Sequence, residues 1–148
     1  MEQQISDILS KELEQLKSDI IRRHEEAGQV ASGRTRAAFE VKVSDSNGQL
    51  LGNSYAGVLE RGRRGGKVPY DFKDILLRWA EAKGIYFANN TDARRWAWFV
   101  TQKIRREGTK LYRSGQTVDI FTTPIDEMTE RLTKKLAGVY TNEITNTI

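Results

Sequence analysis

The side chains that could perform acid–base, nucleophilic or metal chemistry are few in this chain. It contains no cysteine and a single histidine, His24. A thiolate nucleophile, a disulfide, a familiar catalytic triad and a histidine-rich metal site therefore cannot be assembled from this set. His24 lies in a charged run at the end of the first predicted helix. We expect a solvated ring near the helix dipole there, with a general base as the alternative.

Carboxylates are numerous, but they are spread over predicted helical surfaces. Sequence neighbours such as Glu25 and Glu26 diverge on a helix and do not converge on one substrate. We therefore expect no catalytic residue, no cofactor and no metal site, and we predict that the protein is not an enzyme. A nuclease whose acidic groups cluster around a metal through folding is an alternative that stays open.

The basic residues form two runs, although the formal net charge is only +4. The first run is interrupted only by glycines and consists of Arg61, Arg63, Arg64 and Lys67. The second run consists of Lys103, Arg105, Arg106 and Lys110. Because the first run has no apolar anchor, we predict a mobile loop. Its four cations are our candidate DNA contacts, since basic charge on a loop binds phosphates without reading bases. A solvated loop and pairing with acidic groups of a neighbouring subunit are the alternatives.

The segment from Gly62 to Val68 is superficially similar to a phosphate-cradling loop. Its glycine–lysine spacing is one residue short, and Val68 stands where a magnesium-binding hydroxyl is required. We therefore exclude nucleotide hydrolysis.

The tryptophans suggest base stacking at first sight. Trp79 and Trp96 fall at helical spacing, so we predict core positions for both. Trp98 falls off that face, and we predict that it marks a subunit interface.

Hydrophobic periodicity predicts a helix followed by a hairpin in the first part of the chain. Apolar residues at helical spacing indicate a long N-terminal helix that stops at Gly28. Alternation from Phe39 to Ser44 predicts a strand, and residues 49–54 are the predicted return strand. Between them, the pair Asn47-Gly48 is typical of a two-residue hairpin turn.

Three helices are predicted in the rest of the chain. The first follows Pro69 and ends at Gly84 in a Schellman motif, and the second runs from near Thr91 to Gly108. Residues 111–121 are predicted to be irregular or extended, and Thr123 is the predicted cap of the last helix. We therefore predict an α+β fold with a long N-terminal helix, a small antiparallel sheet built on a β-hairpin, inserted helices and a C-terminal helix. No segment is apolar enough to span a bilayer, so no membrane partner is expected.

Two short motifs resemble those of the tailed-phage neck and tail-completion family of head–tail connector proteins. The first is Ser32-Gly33-Arg34-Thr35, similar to the family's threonine-glycine-x-leucine. The second runs from Tyr55-Ala56 through Glu60 to Gly62 and matches the family's tyrosine-alanine, three residues, glutamate, one residue, glycine. Ser32 and Thr35 depart from the pattern, because threonine and an aliphatic residue are usual at these positions.

The resemblance extends into the predicted inserted helices. Members of the family carry an insertion with tryptophan-alanine and lysine-glycine-isoleucine, here Trp79-Ala80 and Lys83-Gly84-Ile85. A second inserted helix ends in isoleucine, arginine and glycine-threonine, here Ile104-Arg105 and Gly108-Thr109. The resemblance implies one neck domain over residues 1–148 with a helical insertion at 70–108.

The family resemblance implies a structural virion protein. Its members form closed rings at the head–tail junction, between the portal-side connector and the tail, and DNA passes through the channel. The implied partners are copies of the same chain, connector and tail proteins, and packaged DNA through nonspecific contacts. Assembly would take place in the cytoplasm of the bacterial host, and the protein would reside in the virion. A tail terminator or minor tail protein is the nearest alternative, and a small DNA-binding regulator that uses the helix from Thr91 to Gly108 is another.

The motif residues are expected to be structural. Tyr55 is predicted to anchor its ring in the core, and Gly62 is predicted to adopt a positive φ. Glu60 is expected to pair with a cation across a subunit boundary or to stabilise a local turn. We expect the same structural class of role for Ser32, Gly33 and Ala56.

Overall fold

The computed structural model describes residues 1–147 and confirms the predicted α+β fold. Seven helices and two strands lie in this part of the chain. In order they are α1 (Glu2–Glu26), α2 (Arg34–Ala37), β1 (Glu40–Ser44), β2 (Asn47–Leu51), α3 (Val58–Arg61), α4 (Phe72–Ala82), α5 (Asn90–Glu107), α6 (Lys110–Ser114) and α7 (Thr122–Thr147). Among these residues no helix is long and apolar enough to cross a bilayer.

The chain forms two compact units. Unit 1 comprises Met1–Gln29, Thr35–Ala56 and the chain from Asp119 onward, and unit 2 comprises Val30–Arg34 and Gly57–Val118. The insertion predicted at 70–108 lies within unit 2, while the assignment of residues 1–148 to one domain stays a prediction. The two units differ in charge. Unit 1 has nine Lys and Arg against fourteen Asp and Glu, a formal charge of −5, and unit 2 has fifteen against six, a formal charge of +9.

Unit 1 is built on α1, which packs against α7 and against the β-hairpin. The apolar stripe of α1 is buried along its whole length, from Ile5 to Ile20, as its helical spacing predicted. Near the start of α1, Ile5 and Leu9 form a core cluster with Val139 of α7. Gly28 ends the helical run with a φ of 69°, so the predicted stop is confirmed.

A buried carboxylate joins the two long helices. Glu12 is 4% exposed, and its carboxylate accepts hydrogen bonds from Arg131 Nε (2.8 Å) and from Lys135 Nζ on α7. Burial alone would raise the pKa of Glu12, but the hydrogen bonds and positive charges of Lys135 and Arg131 outweigh it and lower the pKa below its ordinary value. No local sequence pattern indicates this ion pair, because Arg131 and Lys135 lie more than a hundred positions from Glu12.

The predicted hairpin turn is wrong by two residues. Ser44 pairs with Asn47, so the turn consists of Asp45 and Ser46, with Asp45 at a φ of 49°. Gly48 lies inside β2, where a Cβ would stand 2.6 Å from Leu13 Cδ1 of α1. The strand therefore packs too closely on α1 to leave room for a side chain at position 48. This packing outweighs the local turn preference of Asn47-Gly48.

His24 is buried, and the prediction of a solvated ring is wrong. Its side chain is among the largest fully buried ones, and the residue is 2% exposed. Its Nδ1 lies 3.0 Å from Oε1 of Gln29, a hydrogen bond that satisfies one side of the ring. The charged local sequence does not reveal this burial.

The last helix begins with a side-chain cap, but Asp119 provides it and not Thr123. The Asp119 carboxylate accepts hydrogen bonds from the backbone N–H of Thr123 (2.9 Å) and from the Thr123 hydroxyl. These bonds lower the pKa of Asp119, and the nearby Arg23 adds to the effect. Thr123 is thus the capped residue.

Threonine hydroxyls along α7 donate back to the helix itself. Thr129, Thr133, Thr141, Thr145 and Thr147 each donate to the carbonyl oxygen four residues earlier, at 2.7–2.9 Å. The hydroxyls are therefore satisfied within the helix although these residues are exposed.

Unit 2 is organised by the packing of α4 against α5. The two helices contact each other, and the small residues Ala80 of α4 and Ala93 and Ala97 of α5 are buried. α4 ends at Gly84 in the predicted Schellman motif, with Ile85 N–H donating to Ala80 O at 2.8 Å. α5 ends at Gly108 as predicted.

Three predictions for unit 2 differ from the structure. Trp79 is 42% exposed and not a core residue, since the smaller Ala80 occupies the buried face of α4. Trp96 is only half-buried, and its ring packs at a tilt of 44° against Phe87, with ring centroids 5.2 Å apart. Residues 111–114 belong to α6, although 111–121 was predicted to be irregular or extended.

Candidate nucleic-acid interface

The loop that carries the first basic run is held against the end of α5. The backbone N–H of Gly66 donates to Arg105 O (2.7 Å), and the N–H of Thr109 donates to Arg63 O (2.9 Å). The Thr109 hydroxyl accepts from the backbone N–H of Arg63 at 2.9 Å. Backbone hydrogen bonds thus attach this loop to α5 although it has no apolar anchor, and its mobility stays a prediction.

Two glycines permit this close backbone contact. Gly62 has φ 79° and ψ −178°, and Gly108 has φ 85° and ψ −178°, a region that is essentially restricted to glycine. A Cβ on Gly62 would lie 2.5 Å from Tyr112 N, and one on Gly108 would lie 2.6 Å from Arg63 O. The positive φ predicted for Gly62 is confirmed.

Arg63 differs from the other three cations of the loop. Its guanidinium donates to Lys67 O (2.8 Å) and lies 5.6 Å above the ring centre of Phe72. The residue is half-buried, whereas Arg61, Arg64 and Lys67 are exposed. Arg63 therefore holds the loop in shape, and the other three present their charge to solvent.

The loop contact brings the two basic runs of the sequence side by side. We call the exposed members of both runs the basic patch; they are Arg61, Arg64, Lys67, Lys103, Arg105, Arg106 and Lys110. Glu107 is close and pairs with Arg106 (3.4 Å) and Arg113 (3.5 Å), so part of the positive charge is balanced locally. The patch nevertheless belongs to a unit with a formal charge of +9.

A cleft of about 360 Å³ lies between the loop, the start of α4 and one face of α5. We call it the aromatic cleft. Its wall on α5 consists of Trp98, Thr101, Gln102 and Arg105, and its opposite wall consists of Lys67, Val68, Pro69, Tyr70, Phe72 and Lys73. Three cations thus surround apolar and aromatic surface, and no carboxylate belongs to the lining. This site was not predicted from the sequence, although positions 98, 101, 102 and 105 fall on one face of a helix.

Trp98 is 47% exposed and packs edge-on against Phe99, whose ring centre is 5.1 Å away. Phe99 is 59% exposed and Tyr70 is fully exposed. Exposed aromatic side chains of this size are enriched at binding surfaces. The assignment of Trp98 to a subunit interface stays a prediction.

The other motif residues have structural environments. Gly33 has φ 80°, and the Ser32 hydroxyl oxygen accepts from the Arg34 N–H at 3.5 Å. Tyr55 is 47% exposed, so the prediction that its ring is anchored in the core is wrong. The Ala56 N–H donates to Asn53 O in a turn (3.1 Å).

Glu60 lies on the short helix α3 and is half-buried. Its backbone carbonyl accepts from Val118 N–H at 2.8 Å and so fixes the end of unit 2. Within residues 1–147 no group of three or more histidine, cysteine or acidic residues is arranged to hold a metal ion.

Comparison with known proteins adds no relative. No family model matches the chain, and neither a curated protein nor a solved structure is significantly similar to it.

Proposed function

We propose that this protein is a structural, non-enzymatic subunit of a homo-oligomeric ring at the head–tail junction of a tailed bacteriophage. In this role the basic patch contacts the backbone of the DNA that passes through the ring. The observation that carries the proposal is that the loop with the first basic run is attached to the end of α5, which carries the second run, through the hydrogen bond from Gly66 N–H to Arg105 O. The motifs that resemble the neck and tail-completion family provide the context.

The chemistry of the basic patch suits a sequence-independent contact. Its members are long cations on a loop and at the end of a helix, and phosphate contacts from such residues position DNA without reading its sequence. A moderate number of contacts is compatible with DNA that must move past the surface. A tail terminator or minor tail protein would use the same design and stays the alternative within the virion.

The ring is tested by native mass spectrometry of the protein alone and mixed with its neighbouring virion proteins, and by its presence in purified particles. We expect closed assemblies of about six or more copies. A chain that joins no such assembly and is absent from virions would refute the proposal.

The basic patch is tested by the salt dependence of binding to duplex DNA of random sequence. In one variant Arg61, Arg64 and Lys110 are replaced by serine, while Arg63 is kept because it holds the loop and Lys67 is kept because it lines the aromatic cleft. Each phosphate contact contributes about 0.9 to the slope of log K against log salt, so the slope is expected to fall by up to about 2.7.

The matched control replaces Arg78, Lys83 and Arg94, three exposed cations of the same unit outside the basic patch. It removes the same net charge and is expected to keep most of the slope. Equal losses in both variants would assign binding to net charge and remove the patch from this role. In particles, the first variant is expected to assemble normally but to change DNA retention or ejection. A marked preference for one duplex sequence would instead favour the regulator that uses α5.

A further inference from the structure

We propose that the aromatic cleft of one copy binds the helical end of unit 1 of the next copy. This inference rests on the proposed ring and names the two surfaces that join its subunits. A closed ring requires a heterologous interface, in which two different surfaces of each subunit meet.

The surface that enters the cleft is the end of the α1–α7 pair, which we call the acidic end. It comprises residues 1–10 and 136–147, which share the core of Ile5, Leu9 and Val139. It contains three carboxylates, Glu2, Asp7 and Glu143, and no lysine or arginine. The cleft has three cations, Lys67, Lys73 and Arg105, and no carboxylate in its lining. The two surfaces therefore have opposite charge, as do the units to which they belong.

The acidic end also presents apolar side chains that nothing in unit 1 covers. Tyr140 is 48% exposed and Ile144 is 63% exposed, and their spacing of four residues puts them on one face of α7. All residues from 140 to 147 are exposed, so the last two turns of α7 have no packing partner in unit 1. A helix that offers an apolar pair flanked by a carboxylate fits a cleft of aromatic side chains edged by cations.

A second copy accounts for more of these features than a nucleic acid does. A single strand would use the cations and stack on Trp98, but it would leave Tyr140 and Ile144 exposed. When a second copy binds, the aromatic cleft of one subunit and the acidic end of the other are covered together. The same contact can then repeat from each subunit to the next.

The experiment uses two variants of the full chain that each remove one surface. The cleft variant is Trp98→Ala with Lys73→Ala, and the end variant is Tyr140→Ser with Ile144→Ser. Trp79→Ala is the control for the first, because Trp79 is an equally exposed tryptophan outside the cleft. Tyr86→Ser is the control for the second, because Tyr86 is 85% exposed and belongs neither to the cleft lining nor to the acidic end. Circular dichroism verifies that every variant is folded.

Native mass spectrometry at low salt gives the result. Both controls are expected to assemble like the unaltered chain, and each variant alone is expected to self-associate about 30-fold more weakly, as for loss of a central aromatic anchor. An equal mixture of the two variants is expected to form one-to-one dimers and nothing larger. The cleft variant keeps its acidic end and the end variant keeps its cleft, so only one productive contact is possible in each pair.

Three results would overturn the inference. The first is that the unaltered chain stays monomeric when it is alone. The second is that the cleft variant or the end variant is folded and still assembles normally, and the third is that the equal mixture of the two stays monomeric or forms full assemblies. Binding of a twelve-nucleotide thymidine strand that requires Trp98, together with a monomeric mixture, would assign the cleft to nucleic acid. The proposed ring is judged separately, by assemblies with neighbouring virion proteins and by presence in particles.

Disulfide trapping provides a second measurement on a clean background, because the chain has no cysteine. Lys73→Cys and Ile144→Cys are prepared as separate proteins, mixed and oxidised. We expect the mixed disulfide to dominate over the two homodimers at least tenfold. Equal yields of the three products would contradict the contact.

Discussion

Replacement of Gly62 by alanine is predicted to destabilise unit 2 severely. Gly62 combines φ 79° with ψ −178°, and a non-glycine residue in such a region costs about 1–3 kcal/mol. The new methyl group would also stand 2.5 Å from Tyr112 N and 2.6 Å from Thr109 Oγ1, so the backbone of α6 must move. Overpacking of this kind costs about 1–3 kcal/mol more. We expect a total loss of about 2–6 kcal/mol in the free energy of unfolding.

Urea unfolding followed by tryptophan fluorescence measures this loss directly. All three tryptophans, at positions 79, 96 and 98, lie in unit 2, so their emission reports on that unit alone. With a denaturant slope of about 2 kcal/mol per molar urea, the midpoint is expected to fall by about 1–3 M. A variant at the upper end of the range would not fold.

Gly57→Ala is the matched control in the same unit. Gly57 has φ −61°, and a Cβ there would meet no atom within 4 Å. Its stability is expected to stay within about 0.5 kcal/mol of the unaltered chain. If Gly62→Ala unfolds within the same margin, the reasoning from backbone conformation and close contact is wrong.

Further predictions concern unit 1. Glu12→Gln removes the charge that pairs with α7 and is expected to destabilise by about 1.5–3 kcal/mol near neutral pH, whereas the exposed Glu14→Gln is expected to be nearly neutral in urea unfolding followed by circular dichroism. Because folding lowers the pKa of Glu12, its contribution to the free energy of unfolding is present above the ordinary glutamate pKa and is lost as the pH falls through the lowered value. Glu12→Gln should therefore make the free energy of unfolding less dependent on pH in the acidic range. An unchanged dependence would contradict the ion pair. Gly48→Ala is expected to cost about 1–3 kcal/mol, since its methyl group would lie 2.6 Å from Leu13 Cδ1. Gly138→Ala, inside α7 with no atom within 4 Å of the new methyl group, is expected to stabilise by about 0.5–1 kcal/mol; thermal unfolding that shows the same sign for both glycines would refute this distinction.

The sequence predicted the elements of the fold well where the signal is local and repeated. The apolar stripe of α1, the stop at Gly28 and the Schellman motif at Gly84 follow from side-chain spacing and from the φ that glycine permits. The hairpin was predicted, but its register was not. Asn47-Gly48 has a turn preference of its own, and the deciding contact is with Leu13, which no window around the hairpin contains.

The sequence predicted the basic residues of the candidate site but not the conformation of the loop that carries them. The four cations from Arg61 to Lys67 were identified from composition, but glycines in the same loop were interpreted as flexibility. Gly62 instead allows a close approach to α6, and Arg63 is half-buried against Phe72. His24 shows the same limit, because its charged sequence neighbours indicate exposure while the folded chain buries its side chain.

The threonine hydroxyls of α7 reduce the desolvation cost of covering this helix, which is exposed to solvent before any assembly. A polar group that loses water on docking and finds no new partner costs about 1–3 kcal/mol. The hydroxyls of Thr141, Thr145 and Thr147 already have their acceptors one turn back, so a neighbour that covers this stretch leaves no donor stranded. The hydroxyl of a serine or threonine in an irregular segment is hydrogen-bonded to water instead, and it would need a new protein partner when it is covered. The helix can thus remain compatible with water while it is free, and its removal from water carries a small desolvation penalty.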